Sequence, residues 1–211
     1  MFAWVIRDTV EPPSLSPKLR QTQATLKSFS RDPKDARTSL LNLLRLPQFP
    51  ESKWNNLLAG RAVDLDHVLA GQYSLTHDEQ HTKHIGELEV VLGSSRPDKV
   101  VNTHGKWLIM WDQTVEAMLY VFPHRASELR EYGKHITQLF ASFPDHLHTR
   151  VIQFDQAVRI CVVQQCDLLL TDYARFADLH CKIYIYYILS IYLIHAYMLC
   201  IYALFAPRHL K

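Results

Sequence analysis

The chain has 211 residues, a formal net charge of +2 and 48% hydrophobic residues. That length holds one medium domain plus a tail, or two small units. The near-neutral charge, without dense Lys/Arg clusters, argues against a chain built on phosphate contacts. The four cysteines, Cys161, Cys166, Cys181 and Cys200, fall late in the chain and form no CxxC pair. This argues against a secreted disulfide framework and favours a reducing compartment.

The N-terminal MFAWVIRDTVEPP has a five-residue apolar start, Phe2 to Ile6, without a basic segment ahead of it. It is too short for a signal peptide. Residues 8 to 38 are rich in Pro, Ser, Thr, Lys and Asp. Pro12, Pro13, Pro17 and Pro33 are expected to interrupt any long helix, leaving a short helix around Gln21 to Phe29. Residues 1–47 are therefore expected to form an irregular N-terminal arm with short helices. Within it Thr38 can cap the segment SLLNLLRL, which Pro47 and Pro50 stop. Ser52 can cap a helix carrying Trp54, Leu57 and Leu58, with Gly60 just past its end. A further helix around Leu65 to Leu69 ends near Gly71, and residues 72 to 82 read as loop. Leu88, Val90, Val91 and Leu92 form an apolar run that is either one strand or a helical turn. GSSRPDK after it reads as a loop.

The pattern then strengthens. Trp107, Met110, Trp111, Thr114, Val115 and Met118 recur at three- and four-residue spacing, one face of a helix. Pro123 breaks it after Phe122. A second helix from about Arg125 carries Leu129, Tyr132, Ile136, Leu139, Phe140 and Phe143 on one face, and Pro144 ends it. A third starts near His148 or Thr149 and carries Val151, Phe154, Val158, Cys161 and Val162. Thr171 can cap a fourth, with Phe176 and Leu179. Four amphipathic helices with short connections predict a compact helical array. The expected fold is mainly α, with an irregular N-terminal arm and a long apolar C-terminal helix.

Three polar groupings bear on chemistry. In His77-Asp-Glu-Gln-His81-Thr-Lys-His84, helical backbone would put His77 and His81 on one face, a spacing that can bind zinc. The zincin pattern needs Glu directly after the first His, where this chain has Asp78. The segment also lacks apolar support, and a solvated loop is the reading preferred. Asp112 and Glu116 stand at i, i+4 opposite an apolar face, read as a solvated polar face rather than a metal-holding or acid–base pair. His124 and Arg125 follow Pro123 at a helix start, where they could bind an anion or serve as capping or tertiary contacts. The chain lacks the G-x-x-x-x-G-K-[ST], G-x-G-x-x-G and G-x-S-x-G signatures. Cys161 and Cys166 are spaced poorly for zinc. No catalytic, cofactor-binding or metal residue is assigned, no cofactor is expected, and no small-molecule substrate is evident.

Several phrases together carry a resemblance: residues 61–74 (RAVDLDHVLAGQYS), the stretch 85–136 from IGELEVVLG to YGKHI, and RVIQFDQAVR (150–159) with LLLTDYARFADL (168–179). Their signature is Trp107 and Trp111, then Phe122 to Arg125, then Glu128, Leu129, Tyr132 and Ile136, then Phe154, Asp155 and Arg159. This resembles the Gag-like region of open reading frames in mushroom-type fungi, similar to segments encoded upstream of reverse transcriptase or tyrosine recombinase in retroelements. The resemblance spans about 125 residues, inside a helical module assigned to 48–180. It implies a non-enzymatic helical module for self-association or nucleoprotein assembly, with RNA as a weaker second partner. It transfers no catalytic residue. Such proteins often continue into a Cys/His-rich zinc knuckle, whereas here the resemblance stops near Leu179 or His180.

Residues 181–211 form an apolar tail of a different kind. Ile183 to Ala206 runs for 24 residues without Asp, Glu, Lys or Arg, and about 20 suffice to cross a membrane. This makes 183–206 a candidate transmembrane helix, and the alternative reading is a tail-anchored membrane protein. The run holds Ile 6, Tyr 6 and Leu 4, more Tyr than membrane spans favour away from their interfaces. Translation of an A/T-rich intron would give such a composition, so the last 30 residues are read as a retained intron or a displaced gene-model boundary. An intracellular protein is expected, membrane-associated where the tail is expressed.

Overall fold

A computed structural model describes residues 15–43, 45–73, 82–85, 88–91, 99–188 and 192. The chain enters through α1 (Pro17–Arg31) and α2 (Pro33–Leu41). Both begin on a proline. The missing N–H costs nothing at a first helical position, and the fixed φ suits the helix. Ser16 caps α1 by accepting from the Leu19 amide, and Asp32 caps α2 by accepting from the Asp35 amide at 3.0 Å. Pro17 and Pro33 thus start helices rather than interrupting them. The short helix expected at Gln21 to Phe29 is 15 residues long, so residues 17–41 of the expected irregular arm are almost wholly helical. Thr38 is no cap; it lies inside α2 and donates to the Lys34 carbonyl.

Helix α3 (Glu51–Leu58) buries Trp54, Leu57 and Leu58. Gly60 follows its end at φ +65°, the left-handed turn that favours glycine. Pro50 rather than Ser52 occupies the N-cap position. Helix α4 (Leu65–Tyr73) runs through Gly71. Strands β1 (Thr82–Ile85) and β2 (Leu88–Val91) pair antiparallel, with Thr82 opposite Val91 and Ile85 opposite Leu88. The run at 88–91 is therefore a strand.

The centre is built by α5 (His104–Val121), α6 (Ala126–Ser142) and α7 (His148–Gln165). Thr103 caps α5 by accepting from the Lys106 amide. One-turn 3-10 segments, Pro123–Arg125 and Asp145–Leu147, join the three helices. Trp107, Met110 and Trp111 of α5 meet Leu129, Tyr132, Ile136 and Phe140 of α6 and Val151 and Val158 of α7 in one buried core. Each aliphatic side chain so buried contributes roughly 1.5–3 kcal/mol. The apolar faces expected for these helices are the faces they bury, except that Val115, Met118 and Cys161 are only partly buried.

A 3-10 turn at Tyr173–Phe176 leads into α8, helical from 177 through the described residues up to 188. Asp172, not Thr171, precedes this turn, and its carboxylate accepts from the Leu169 amide at 2.7 Å. The candidate span 183–206 lies mostly outside the described residues. Among the described residues no helix is long and apolar enough to cross a membrane, so the long apolar C-terminal helix is not supported.

Candidate interaction surface

The polar residues of the signature fall into two buried clusters. Asp155, fully buried on α7, is the hub of the first. Its Oδ1 accepts from the Tyr132 hydroxyl at 2.9 Å, and its Oδ2 from the Trp107 indole N–H at 3.0 Å. Arg159, one turn on, donates to the same Oδ2 through Nε at 3.1 Å and Nη2 at 3.0 Å. The Arg159 Nη1 donates to the Val63 carbonyl, so α7 is tied to the segment between α3 and α4. Burial and the neighbouring Asp155 carboxylate push the Tyr132 phenol well above its ordinary pKa.

The second cluster joins Arg125 to Glu128, both buried. The guanidinium donates through Nε at 2.9 Å and Nη2 at 2.5 Å, a two-point pairing. Glu128 Oε1 also accepts from the Leu170 amide at 2.9 Å, which fixes the segment after α7 against α6. Arg125 is consumed by this pairing and is no anion ligand at the start of α6. His124 stands beside it, with Nε2 2.7 Å from the Thr22 hydroxyl of α1. Burial and then the Arg125 charge hold the His124 imidazole below its usual pKa.

The other sequence candidates separate. His84 lies in β1, so the helical grouping with His77 and His81 does not form there; those two lie outside the described residues. Among the described residues no group of three His, Cys, Asp or Glu side chains is placed to hold a metal ion. Asp112 and Glu116 are exposed on α5.

Asp112 does, however, line an open groove of about 520 Å³ between α5 and α6. Leu108, Val115 and Leu119 form the α5 wall, and Leu129 of α6 closes the floor. Trp111, buried, also lines the groove. A Cβ on Gly133 would sit 2.7 Å from Trp111 Nε1, so only glycine lets α6 approach this closely. Arg130 and Lys134 line the α6 side, both exposed. Ile109, 55% exposed, extends the apolar surface beyond the α5 rim.

The two rims carry opposite signs: Asp112 and Glu116 on α5, Arg130 and Lys134 on α6. None of these four forms an ion pair among the described residues. The carboxylates are legible in the sequence as a pair; their basic counterparts become a rim only when α6 is laid beside α5. The available signal was the same i, i+4 spacing on the next helix.

Compared with protein families, curated proteins and solved structures, the chain matches none.

Proposed function

We propose that the chain is a non-enzymatic, retroelement-derived Gag-like interaction module that works by self-association or nucleoprotein assembly. The observation that carries this reading is the open α5–α6 groove, apolar in its floor and flanked by charges of opposite sign that form no ion pair among the described residues. Apolar surface rimmed by polar groups marks a place where another macromolecule docks. The signature residues support the same reading from the other side. Trp107, Arg125, Glu128, Tyr132, Asp155 and Arg159 are buried and bonded to one another or to backbone, which suits holding a scaffold.

Sedimentation equilibrium of the purified chain over a wide concentration range, with and without single-stranded RNA, tests the proposal. Mass that rises with protein concentration, or on RNA addition, is the expected result. A monomer at every concentration that ignores RNA would contradict it.

A tail-anchored membrane protein is the second reading. It draws on α8, whose Tyr184, Ile185, Tyr186 and Ile188 are exposed where the apolar run begins. Carbonate extraction of membranes separates the two: release into the supernatant removes this reading.

A further inference from the structure

We infer that the α5–α6 face binds a second copy of this chain across a twofold axis parallel to the groove. This rests on the interaction-module reading and specifies its surface, partner and orientation. His104 stacks on Phe140 at 4.6 Å and Trp111 packs on Tyr132 at 5.3 Å, so α6 runs antiparallel to α5. Trp111 is also the side chain that a Cβ on Gly133 would meet. Asp112 is therefore level with about Glu131 and Tyr132, within one turn of both Arg130 and Lys134, and Glu116 is level with about Ser127 and Glu128, within one turn of Arg130. Each rim carries its two charges about 6 Å apart along the helix.

A twofold contact between identical faces uses the same patch on both partners, with the axis in the plane of the interface. Two orientations keep the helices aligned. With the axis across the groove, α5 lies over the partner's α5, and acidic rim meets acidic rim. With the axis along the groove, α5 lies over the partner's α6 at the same level. Each Asp112 then stands between the Arg130 and Lys134 of the other copy, within one turn of both, and each Glu116 within one turn of that Arg130, twice by symmetry. Like-charge contact is strongly disfavoured, so the charges choose the second orientation. The apolar floor, with Leu108, Val115 and Leu119, would be covered on both copies. Two helices side by side over the length of α5 present roughly 500 Å² in projection. Accessible area exceeds projected area, which brings the face near the ~800 Å² per partner of a stable interface.

A charge-swap test decides the matter. D112K/E116K makes both rims basic, and R130E/K134E makes both acidic. All four positions are exposed, so both variants are expected to fold, which circular dichroism and thermal unfolding would verify. By sedimentation, each full-length variant alone should dimerise at least about tenfold more weakly than wild type. An equimolar mixture should recover a dimer containing one of each, because both rim contacts are then complementary. Wild-type dimers untouched by either change would overturn this surface while leaving self-association standing. A wild-type chain that never associates would overturn both. A mixture that fails to associate, after each variant alone has lost association, would overturn the twofold orientation.

Discussion

The Trp107 indole N–H donates to the Asp155 carboxylate at 3.0 Å, joining α5 to α7 through the middle of the core. Both residues are 0% exposed. Neither group could stand there alone, since an unpaired buried carboxylate is costly and a buried indole N–H needs an acceptor. Arg159 supplies the compensating charge and Tyr132 the remaining hydrogen bond. One carboxylate therefore fixes the relative placement of three helices.

Replacing Asp155 by alanine should destabilise the fold by about 3–5 kcal/mol, because the Arg159 charge is left buried and uncompensated. D155A/R159M should cost less than the sum of its single changes, since the second substitution removes the stranded charge. Urea unfolding of the four members of this cycle measures the coupling. Strict additivity would show that the two side chains act independently.

Glu128 does two jobs, and conservative and drastic changes should separate them. E128A strands both the Arg125 guanidinium and the Leu170 amide and should cost about 3–5 kcal/mol. E128Q keeps an oxygen for the Leu170 amide and should cost measurably less. Equal losses in urea titrations would mean that the amide contact contributes nothing.

Gly133 gives a sharper packing test. On an exposed helix, alanine for glycine gains about 1 kcal/mol of propensity. Here the added methyl meets the Trp111 ring at 2.7 Å, and overpacking costs about 1–3 kcal/mol. G133A should therefore lower the thermal midpoint and alter Trp fluorescence at the groove floor. A raised midpoint would show that α6 can move away from Trp111 freely.

Three imidazoles among the described residues contribute a pH response of known sign. Burial holds His124, His135 and His180 below their usual pKa of 6.5; Arg125 adds to this at His124, and His180 at His135. On acidification the unfolded chain takes up protons before the folded chain does. Stability from these groups is thus fullest above about pH 6.5 and falls as pH drops through that value toward the lowered folded-state pKa values. The thermal midpoint should decline from pH 7.5 to 5.5, and H135Q/H180Q should flatten the decline. A midpoint that rises over this interval would contradict the assignment.

The central fold was readable because α5, α6 and α7 each bury one face at helical spacing, and that spacing survives any tertiary context. The N-terminal helices were harder to place. Proline both ends and begins helices, and only a cap such as Ser16 or Asp32 just before it tells the two apart. SLLNLLRL drew attention by its leucines, yet α2 stops at Leu41 and leaves Leu43 55% exposed. The short run at Leu88–Val91 carried no period that separates strand from helix. Among the charged residues, Arg125 left anion binding and a capping or tertiary contact both open, although Glu128 three residues on, at the spacing of a helical ion pair, favours the second. The groove could not be seen from either helix alone, because it exists only once α5 and α6 are laid antiparallel.

The most direct measurement of the central claim is zero-length carbodiimide crosslinking of wild-type chain mixed from ordinary and nitrogen-15-labelled preparations. This reagent joins a carboxylate to an amine in contact, and Asp112 and Lys134 are the pair the twofold axis brings together. The account predicts Asp112–Lys134 crosslinked peptides carrying one labelled and one unlabelled half. Crosslinks at this pair found only within single-isotope peptides, or mixed-isotope crosslinks confined to other surfaces, would contradict it.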